Sequence, residues 1–205
     1  MARGTYDDTQ QRILQNGLNM FLENGFERTN LRELCAAAGI TTGSFYRHFE
    51  SKEALFAFFV QPAVDEIKKD FADAEPLCLE AVETGQPRKL WMIMGADRLL
   101  DYIYRNFDAL KLLLKCSDGT KYSDFLNDVV CMETDISLRY LGLAKERGLI
   151  KTTLPSETEM HMISHAYISS VFEAVLHDLN REDMQNYIHT IVQFFTAGAY
   201  QVLGL

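Results

Sequence analysis

The sequence lacks the features that would place it in a membrane or outside the cell. No run of about 18 apolar residues is present, so no membrane span is expected, and the polar start over residues 1–11 has no apolar region of a signal peptide. The four cysteines have no C-x-x-C spacing. We therefore expect a cytoplasmic protein with reduced, mostly buried thiols; a redox-sensing role for one cysteine is the alternative.

Motifs for catalysis and for metal or nucleotide binding are also absent. The chain contains no glycine-rich phosphate loop, no G-x-S-x-G, no H-E-x-x-H and no motif that pairs carboxylates on one helix face. His161 and His165 share a helix face at spacing i, i+4, but no third ligand lies near them in sequence. We predict neither enzyme activity nor a metal or cofactor, and catalysis without these motifs is the rival interpretation.

An excess of positive charge is missing too. The formal net charge is −9; the segment up to Val60 holds six basic and seven acidic residues, so the remainder carries −8. An acidic body repels the phosphate backbone, and sequence-independent attraction to DNA should therefore be weak. Any DNA binding must come from a local arrangement of hydrogen-bond donors.

Helical periodicity is what the sequence does have, and no segment alternates as a strand. Apolar spacing, caps and breaks predict an all-α fold of about nine helices, three small ones followed by a larger bundle. Pro76, Gly85 and Pro87 mark residues 75–88 as the joint between two regions, and Pro62 predicts a kink. The predicted helices cover residues 8–24, 31–38, 42–49, 51–71, 89–105, 107–114, 121–147, 157–179 and 182–203.

The segment from Asn30 to Phe49 predicts a helix-turn-helix, two helices joined by a tight turn. Asn30 and Thr41 are suited to cap the two helices, and Gly39 supplies the left-handed turn residue between them. Phe45 and Phe49, four residues apart, are expected to face the core. The side chains offered to base edges and phosphates are then Thr42, Gly43, Ser44, Tyr46, Arg47 and His48.

Residues 25–55, which contain this segment, resemble the signature of the TetR/AcrR family of bacterial transcription regulators. The matching stretches are GF at 25–26, TNLREL at 29–34, AAGIT at 37–41, GSFYRHF at 43–49 and SKEAL at 51–55. The resemblance implies a helix-turn-helix DNA-binding domain over residues 1–50, a linking helix over 51–71, and a ligand-binding, dimerising domain over 72–205. It also implies a homodimeric regulator, by family default a repressor, that binds a pseudo-palindromic operator in double-stranded DNA and is released by a small molecule.

Contacts to DNA follow from this resemblance position by position. Tyr46 and Lys52 would hold phosphates together with Thr29, and Arg47 would lie close to the bases. Thr42 stands where many family members have lysine or arginine, which removes one DNA contact. The expected DNA-binding residues are Thr29, Arg32, Thr41, Thr42, Gly43, Ser44, Tyr46, Arg47, His48 and Lys52. For two of them another interpretation stays open: a surface ion pair for Arg32 and a packing role for His48.

The last two predicted helices are apolar on two sides, and a helix of that kind must bury both. We expect a four-helix bundle formed with the same two helices of a second copy. A monomer that buries both faces, or a face for a different partner protein, is the alternative. The predicted interface residues are Tyr167, Val171, Phe172, Val175, Ile191, Phe195, Gly198 and Val202.

Aromatic and methionine side chains concentrate between Trp91 and Phe125, with polar tips among them. This composition suits a pocket for a small, largely apolar molecule, and the alternative is that most of these residues form plain core. Arg98 would orient a polar group of the ligand or form a surface ion pair. The predicted ligand-binding residues are Trp91, Met94, Arg98, Tyr102, Cys116, Tyr122, Phe125, Met132 and His165.

Overall fold

The computed structural model describes residues 6–86 and 95–203, and these ranges contain helices and turns but no strand. The prediction of an all-α fold is confirmed. The helices of the described ranges are α1 Tyr6–Arg28, α2 Leu31–Ala37, α3 Thr42–Phe45, α4 Lys52–Glu83, α5 Ala96–Arg105, α6 Phe107–Lys115, α7 Phe125–Glu146, α8 Glu157–Leu176 and α9 Arg181–Leu203. Within these ranges, no helix combines the length and the apolar character needed to cross a bilayer.

The first helices begin and end at the caps and glycines that the sequence indicated. α1 is interrupted at Gly25, whose φ of 76° is outside the helical region. Asn30 caps α2 because its side chain accepts a hydrogen bond from the backbone nitrogen of Arg32 at 2.8 Å. Gly39 follows α2 with a φ of 66°. Local signals are therefore sufficient to define the turn between α2 and α3.

α4 is longer than the sequence indicated. The predicted end near Phe71 is wrong, because the helix continues through Pro62 and Pro76 and ends at Glu83, inside the predicted joint of residues 75–88. Cys78 and Val82, on the additional turns, are buried in an apolar cluster of the second half of the chain. Burying such side chains stabilises by about 1.5–3 kcal/mol each, which offsets the cost of about 3 kcal/mol for a proline inside a helix.

The chain divides into two compact units. The first unit consists of residues 6–65 with Asp108–Ser123, and the second of the described residues in 66–107 and 124–203. The segment around Cys116, predicted for the C-terminal region, thus belongs to the first unit. There the backbone nitrogen of Phe26 donates to the carbonyl oxygen of Cys116 at 2.9 Å. Such long-range pairing leaves no trace in the local sequence pattern.

An aromatic core holds the first unit together. The rings of Phe21, Phe26 and Phe56 lie with their centroids 5.2 to 5.9 Å apart, two of the three pairs edge to face. Leu34 of α2 and Phe45 of α3 are fully buried in the same unit. This core fixes the helix-turn-helix on α1 and the start of α4.

In the second unit α7 packs against α8, α8 against α9, and α5 against α9. α8 begins with a capping box in which Ser156 and Glu159 each bond the backbone nitrogen of the other. On one side Arg105 of α5 contacts Glu66 of α4 at 2.5 Å. The unit is a helical bundle in which α8 packs against both α7 and α9.

Candidate nucleic-acid interface

The recognition segment, residues 41–49, is fixed by a cap at its start and by two buried rings. Thr41 Oγ1 accepts a hydrogen bond from the backbone nitrogen of Ser44 at 3.2 Å. The helix was predicted to reach Phe49 but ends at Phe45, although the nitrogen of Phe49 still donates to the oxygen of Phe45 at 3.0 Å. The rings of Phe45 and Phe49 face the core as predicted, and these residues are 0% and 8% exposed. The segment therefore has a defined inner side.

The outer side of the recognition segment is open to solvent. Thr42, Gly43 and Arg47 are exposed, and Tyr46 is 57% exposed. The Arg47 Nη2 atom donates to Ser44 Oγ at 3.3 Å, an exposed contact that a base or a phosphate can replace. The side chains on offer are a hydroxyl, a phenol and a guanidinium, which match hydrogen-bonding groups in the major groove.

His48 has a different environment from its neighbours. Its ring stacks on Tyr6 of α1 with the centroids 4.0 Å apart, and the Tyr6 hydroxyl donates to the carbonyl oxygen of Arg47 at 3.3 Å. The His48 Nδ1 atom is buried and has no hydrogen-bond partner in the part of the chain that the structure describes. This environment matches the packing interpretation of His48.

A groove beside the recognition segment brings together five residues predicted to bind DNA, which are Thr29, Arg32, Thr42, Tyr46 and Lys52. Arg28, which the sequence reasoning missed, lines the same groove. Arg28 and Arg32 are both exposed and supply the positive charge that phosphates require. Arg28 precedes the motif at the end of α1, so no sequence signal connected it with the recognition segment.

Thr29 and Lys52 use their polar atoms inside the protein. Thr29 is 2% exposed, and its hydroxyl donates to the carbonyl oxygen of Gly25 at 2.7 Å. Lys52 Nζ donates to the oxygens of Phe26 at 2.7 Å and of Thr29 at 3.0 Å. Burial lowers the pKa of Lys52, and this effect outweighs the charges of two nearby carboxylates, which raise the pKa. Both side chains hold the end of α1, a structural role that the sequence reasoning did not foresee.

Arg98 and Tyr102, two of the predicted ligand-binding residues, line a small cavity of the second unit, about 70 Å³ in volume. Known small-molecule sites occupy about 300–1,000 Å³. Arg98 forms an ion pair with Asp70 at 2.8 Å, the alternative that the sequence left open. Burial raises the pKa of Tyr102. This cavity alone is therefore too small for an effector.

The other predicted ligand-binding residues lie elsewhere. In the first unit, the hydroxyl of Tyr122 donates to Gln61 at 2.6 Å. In the second unit, Phe125 is buried with its ring centroid 6.0 Å from that of Phe172. Cys116 is buried in the first unit, Met132 is half-buried on α7, His165 is exposed on α8, and Trp91 and Met94 lie outside the described residues. Of these residues, those that the structure describes do not line the cavity of Arg98 and Tyr102.

A larger cavity was missed by the sequence reasoning. It measures about 480 Å³ and lies between α7, α8 and α9. Its walls are mainly apolar, with Glu133, Ser137 and Ser164 as polar exceptions. The lining residues come mainly from three helices that are separated in the sequence, so no local spacing connects them. Only the packing of the second unit creates this site.

The residues predicted for a dimer interface separate into two groups. Val171, Phe172 and Val175 are buried within the described chain, because this side of α8 faces its own bundle. Tyr167, Ile191 and Phe195 are half-buried, whereas Gly198 and Val202 are exposed. The exposed apolar face of α8 and α9 consists of Met162, Ile163, Phe194, Gly198 and Val202. The first three of these were not predicted.

The thiols and histidines form no reactive or metal-binding cluster in the described ranges, where no three His, Cys, Asp or Glu side chains converge. Burial raises the pKa of Cys78 to about 11, and it also raises the pKa of Cys35 and of Cys116. Cys131 is exposed. Protonated, buried thiols are poor nucleophiles, which disfavours redox sensing by those three cysteines.

The fold and the recognition segment define a helix-turn-helix DNA-binding protein with a helical second unit. Residues 13–57 match the family model described as bacterial regulatory proteins, tetR family. The first unit therefore carries a helix-turn-helix of the TetR/AcrR family of transcription regulators, as its signature residues implied.

Curated relatives match only part of the chain. The uncharacterized regulator YerO of Bacillus subtilis is 39% identical over 49 residues, which cover 24% of this chain and 17% of YerO. The repressor DhaR of Mycobacterium sp. (strain GP1) is 35% identical over 60 residues, 29% of this chain and 30% of DhaR. The repressor NemR of Escherichia coli is 28% identical over 120 residues, which cover 58% of this chain and 51% of NemR. The chain thus spans about half the length of these relatives at most.

Solved structures extend the likeness in fold to most of the chain. A TetR/AcrR-type regulator from Aquifex aeolicus has a TM-score of 0.56 at 18% identity, covering 91% of this chain and 98% of its own. NalD of Pseudomonas aeruginosa has a TM-score of 0.54 at 19% identity, and the match covers 95% of this chain and 98% of NalD. At such identities the likeness concerns the fold.

Proposed function

We propose that this protein is a ligand-responsive transcription repressor that binds a pseudo-palindromic operator as a homodimer and is released by a small molecule. The observation that carries the proposal is the exposed face formed by Thr42, Tyr46 and Arg47. The opposite side of the same segment is anchored in the core by the buried rings of Phe45 and Phe49. A short helix that is fixed on its inner side and open on its outer side suits the reading of base edges in the major groove.

Arg47 is the base-reading residue in this proposal, because a guanidinium can bond two acceptors of guanine at once. Tyr46 contacts a phosphate through its exposed hydroxyl, and Arg28 with Arg32 neutralises phosphates along the groove. So few cations, in a chain of net charge −9, give one recognition segment little affinity of its own. Two linked segments are therefore needed for tight binding.

The second copy docks on the exposed apolar face of α8 and α9. Met162, Phe194 and Val202 are 65%, 70% and 61% exposed, which is unfavourable in water for side chains of this size. Covering them with the same face of a second chain gives a two-fold dimer. Two-fold symmetry in turn requires a pseudo-palindromic operator with half-sites about one helical turn apart.

Repression and release by a ligand complete the proposal. Two of the curated relatives, DhaR and NemR, are described as repressors. A ligand that prefers a spacing of the two recognition segments incompatible with the operator shifts the dimer away from its DNA-binding state. A coupling of about 1–3 kcal/mol between ligand and DNA is sufficient for this response.

The test is a selection of binding sites from a random duplex library with the purified protein. We expect a pseudo-palindrome with half-sites about one helical turn apart. The variant Arg47→Ala should lose about 1–3 kcal/mol of binding free energy and relax specificity at one position of each half-site. Arg147→Ala is the matched control, because it removes a surface guanidinium outside the helix-turn-helix.

Two results would contradict the proposal. If no sequence is enriched even at low salt, where phosphate contacts are strongest, the chain does not act through specific DNA binding. If Arg47→Ala selects the same sites with the same affinity, the recognition segment does not read bases. The ligand response fails separately, when a tightly bound small molecule leaves the operator affinity unchanged.

A further inference from the structure

Helix α1 contacts the chain on either side of the recognition segment through side-chain hydrogen bonds. Before the segment, Arg12 Nη1 donates to the carbonyl oxygen of Ala38 at 3.0 Å. At its far end, the Tyr6 hydroxyl donates to the carbonyl oxygen of Arg47 at 3.3 Å. The last carbonyl groups of a helix have no partner within that helix, so a donor from another helix can fix the course of the backbone there. α1 supplies such a donor at each end.

The ring of Tyr6 makes a second contact with the recognition segment. It stacks on the imidazole of His48 with the centroids 4.0 Å apart and an angle of 28° between the planes. Tyr6 is nevertheless 59% exposed, so its ring is held at the surface by this contact and not by burial. The hydroxyl and the ring therefore act on two consecutive residues, Arg47 and His48.

α1 is a firm support for Tyr6, although the described helix begins at this residue. Ile13 and Phe21 of the same helix are fully buried in the first unit. Gly17 lies so close to α4 that a Cβ in its place would come within 2.9 Å of the side chain of Leu55. Close packing of this kind resists displacement of the helix. The core thus fixes the helix that carries Tyr6.

The guanidinium of Arg47, by contrast, is loosely held. Arg47 is exposed, and the contact of its Nη2 atom with Ser44 Oγ at 3.3 Å is an exposed one. A long side chain of this kind loses much rotamer freedom when it is ordered, and a bidentate contact with a base requires a defined geometry. Such a contact discriminates well only when the supporting residues hold the backbone beneath it in place.

We propose that Tyr6 is a positioning residue that sets the base specificity of Arg47, because it holds the backbone of Arg47 and the ring of His48 against α1. The inference rests on the base-reading role of Arg47 in the proposed function and adds the residue that directs it. Tyr6 does not line the groove of Arg28 and Arg32, whose phosphate contacts are independent of it. Loss of Tyr6 therefore lowers the discrimination between sequences more than the affinity for DNA of any sequence.

The test compares Tyr6→Phe with the unmodified full chain on two duplexes, the one recovered by operator selection and a scrambled one of the same composition. The ratio of the two affinities should fall about threefold to tenfold, the size expected for one hydrogen bond, while the affinity for the scrambled duplex stays the same. Tyr104→Phe is the matched control and should keep the unmodified ratio. The hydroxyl of Tyr104 also donates to the carbonyl oxygen of an arginine, Arg181 at 2.7 Å, but in the second unit.

A double-mutant cycle with Arg47→Ala separates positioning from direct contact with DNA. If Tyr6 acts through the guanidinium of Arg47, Tyr6→Phe should lower the ratio no further once that guanidinium is absent. An equal loss in both backgrounds would mean that Tyr6 contacts DNA itself or only stabilises the unit, and it would overturn the inference. An unchanged ratio for Tyr6→Phe alone would overturn it as well.

Hydrogen exchange of the DNA-free chain tests the positioning without an operator. The backbone amides of His48 and Phe49 donate to the carbonyl oxygen of Phe45 at 2.8 and 3.0 Å. In Tyr6→Phe they should exchange about threefold to tenfold faster, whereas the amide of Ala38, at the end of α2, keeps its rate. Unchanged rates at all three amides would reject the inference.

The two measurements also separate this inference from the proposed function. Faster exchange at His48 and Phe49 of Tyr6→Phe, together with a failed operator selection, would reject only the proposed function. Sequence-specific binding that Tyr6→Phe leaves intact would reject only the role of Tyr6.

Discussion

Lys52 joins the start of α4 to the end of α1 through backbone carbonyl oxygens, those of Phe26 at 2.7 Å, Thr29 at 3.0 Å and Glu27 at 3.4 Å. Hydrogen bonds of a charged donor stabilise by about 1.5–3 kcal/mol, and the partial exposure of this ammonium lowers that figure. Lys52→Met keeps an apolar stem over the Phe26 ring but removes the donor. We expect the free energy of unfolding in urea to fall by about 1–2 kcal/mol.

Lys68→Met is the control for this measurement, since Lys68 is an exposed lysine of the same helix. It should change the free energy of unfolding by no more than about 0.5 kcal/mol. A Lys52→Met protein that unfolds at the unmodified urea midpoint but has lost operator affinity would contradict the structural role. Lys52 would then act on a phosphate, as the family resemblance implied.

Ser164 offers a second prediction at the residue scale. Its Oγ is buried and has no hydrogen-bond partner among the residues that the structure describes, and a buried polar group without a partner costs about 1–3 kcal/mol. Ser164→Ala should therefore raise the free energy of unfolding, by about 1 kcal/mol. Ser170→Ala is the control, because Ser170 Oγ already bonds the carbonyl oxygen of Ala166 at 2.6 Å. A fall in stability of Ser164→Ala would show that the hydroxyl has a partner.

At the scale of elements, the start of α8 predicts a pH dependence. The Glu159 carboxylate accepts hydrogen bonds from the backbone nitrogen and the hydroxyl of Ser156 at 2.8 and 2.7 Å, which lower the pKa of Glu159. A carboxyl whose pKa is lowered by folding stabilises the protein above its unfolded value of about 4.5, and this contribution is lost as the pH falls through the folded value.

Glu159→Gln should thus lower the urea midpoint at pH 7, and the difference from the unmodified chain should shrink as the pH approaches 4. Glu157→Gln, at the exposed first position of α8, is the comparison. A difference that stays constant between pH 7 and pH 4 would mean that the carboxylate charge does not contribute to the cap.

Elements also mark where sequence reasoning reached its limit. The turn between α2 and α3 was predictable, because the φ of Gly39 and the cap at Thr41 depend on residues next to one another. The length of α4 was not predictable. Pro76 indicates a helix end, but the burial of Cys78 and Val82 against residues distant in sequence outweighs this local preference. A local rule fails where tertiary burial outweighs it.

At the scale of the whole molecule, the proposed dimer can be tested by its molecular mass in solution and by its affinity for operator DNA. Phe194→Asp places a charge in the middle of the exposed face of α8 and α9, where Phe194 is 70% exposed. We expect a monomer in sedimentation equilibrium, with operator affinity reduced about 100-fold or more, because the two recognition segments are no longer linked.

Leu77→Asp, at a leucine of α4 that is 43% exposed, is the control and should remain a dimer with normal operator affinity. If the unmodified chain is itself a monomer, the homodimer proposal is wrong. If Phe194→Asp remains a dimer, the contact lies on another face. Unchanged operator affinity of a monomeric Phe194→Asp would show that avidity is not required.

The candidate site was predictable in the same uneven way. Tyr46 and Arg47 were recognisable because the motif that carries them is contiguous, and their exposure agrees with it. Arg28 was not recognisable from the sequence, since it joins the groove only in the folded first unit. The cavity with Glu133 and Ser164 was invisible, because its walls come from helices far apart in sequence.

The sequence by itself determined the all-α class, most helix ends, the helix-turn-helix and the family, because caps, glycines, apolar periods and a contiguous motif act over a few neighbouring residues. Tertiary structure alone decided the course of α4, the inward roles of Thr29 and Lys52, and the cavity beside Glu133. Each of these depends on which distant groups meet, and burial and hydrogen bonding between distant groups outweigh local preference by a few kcal/mol.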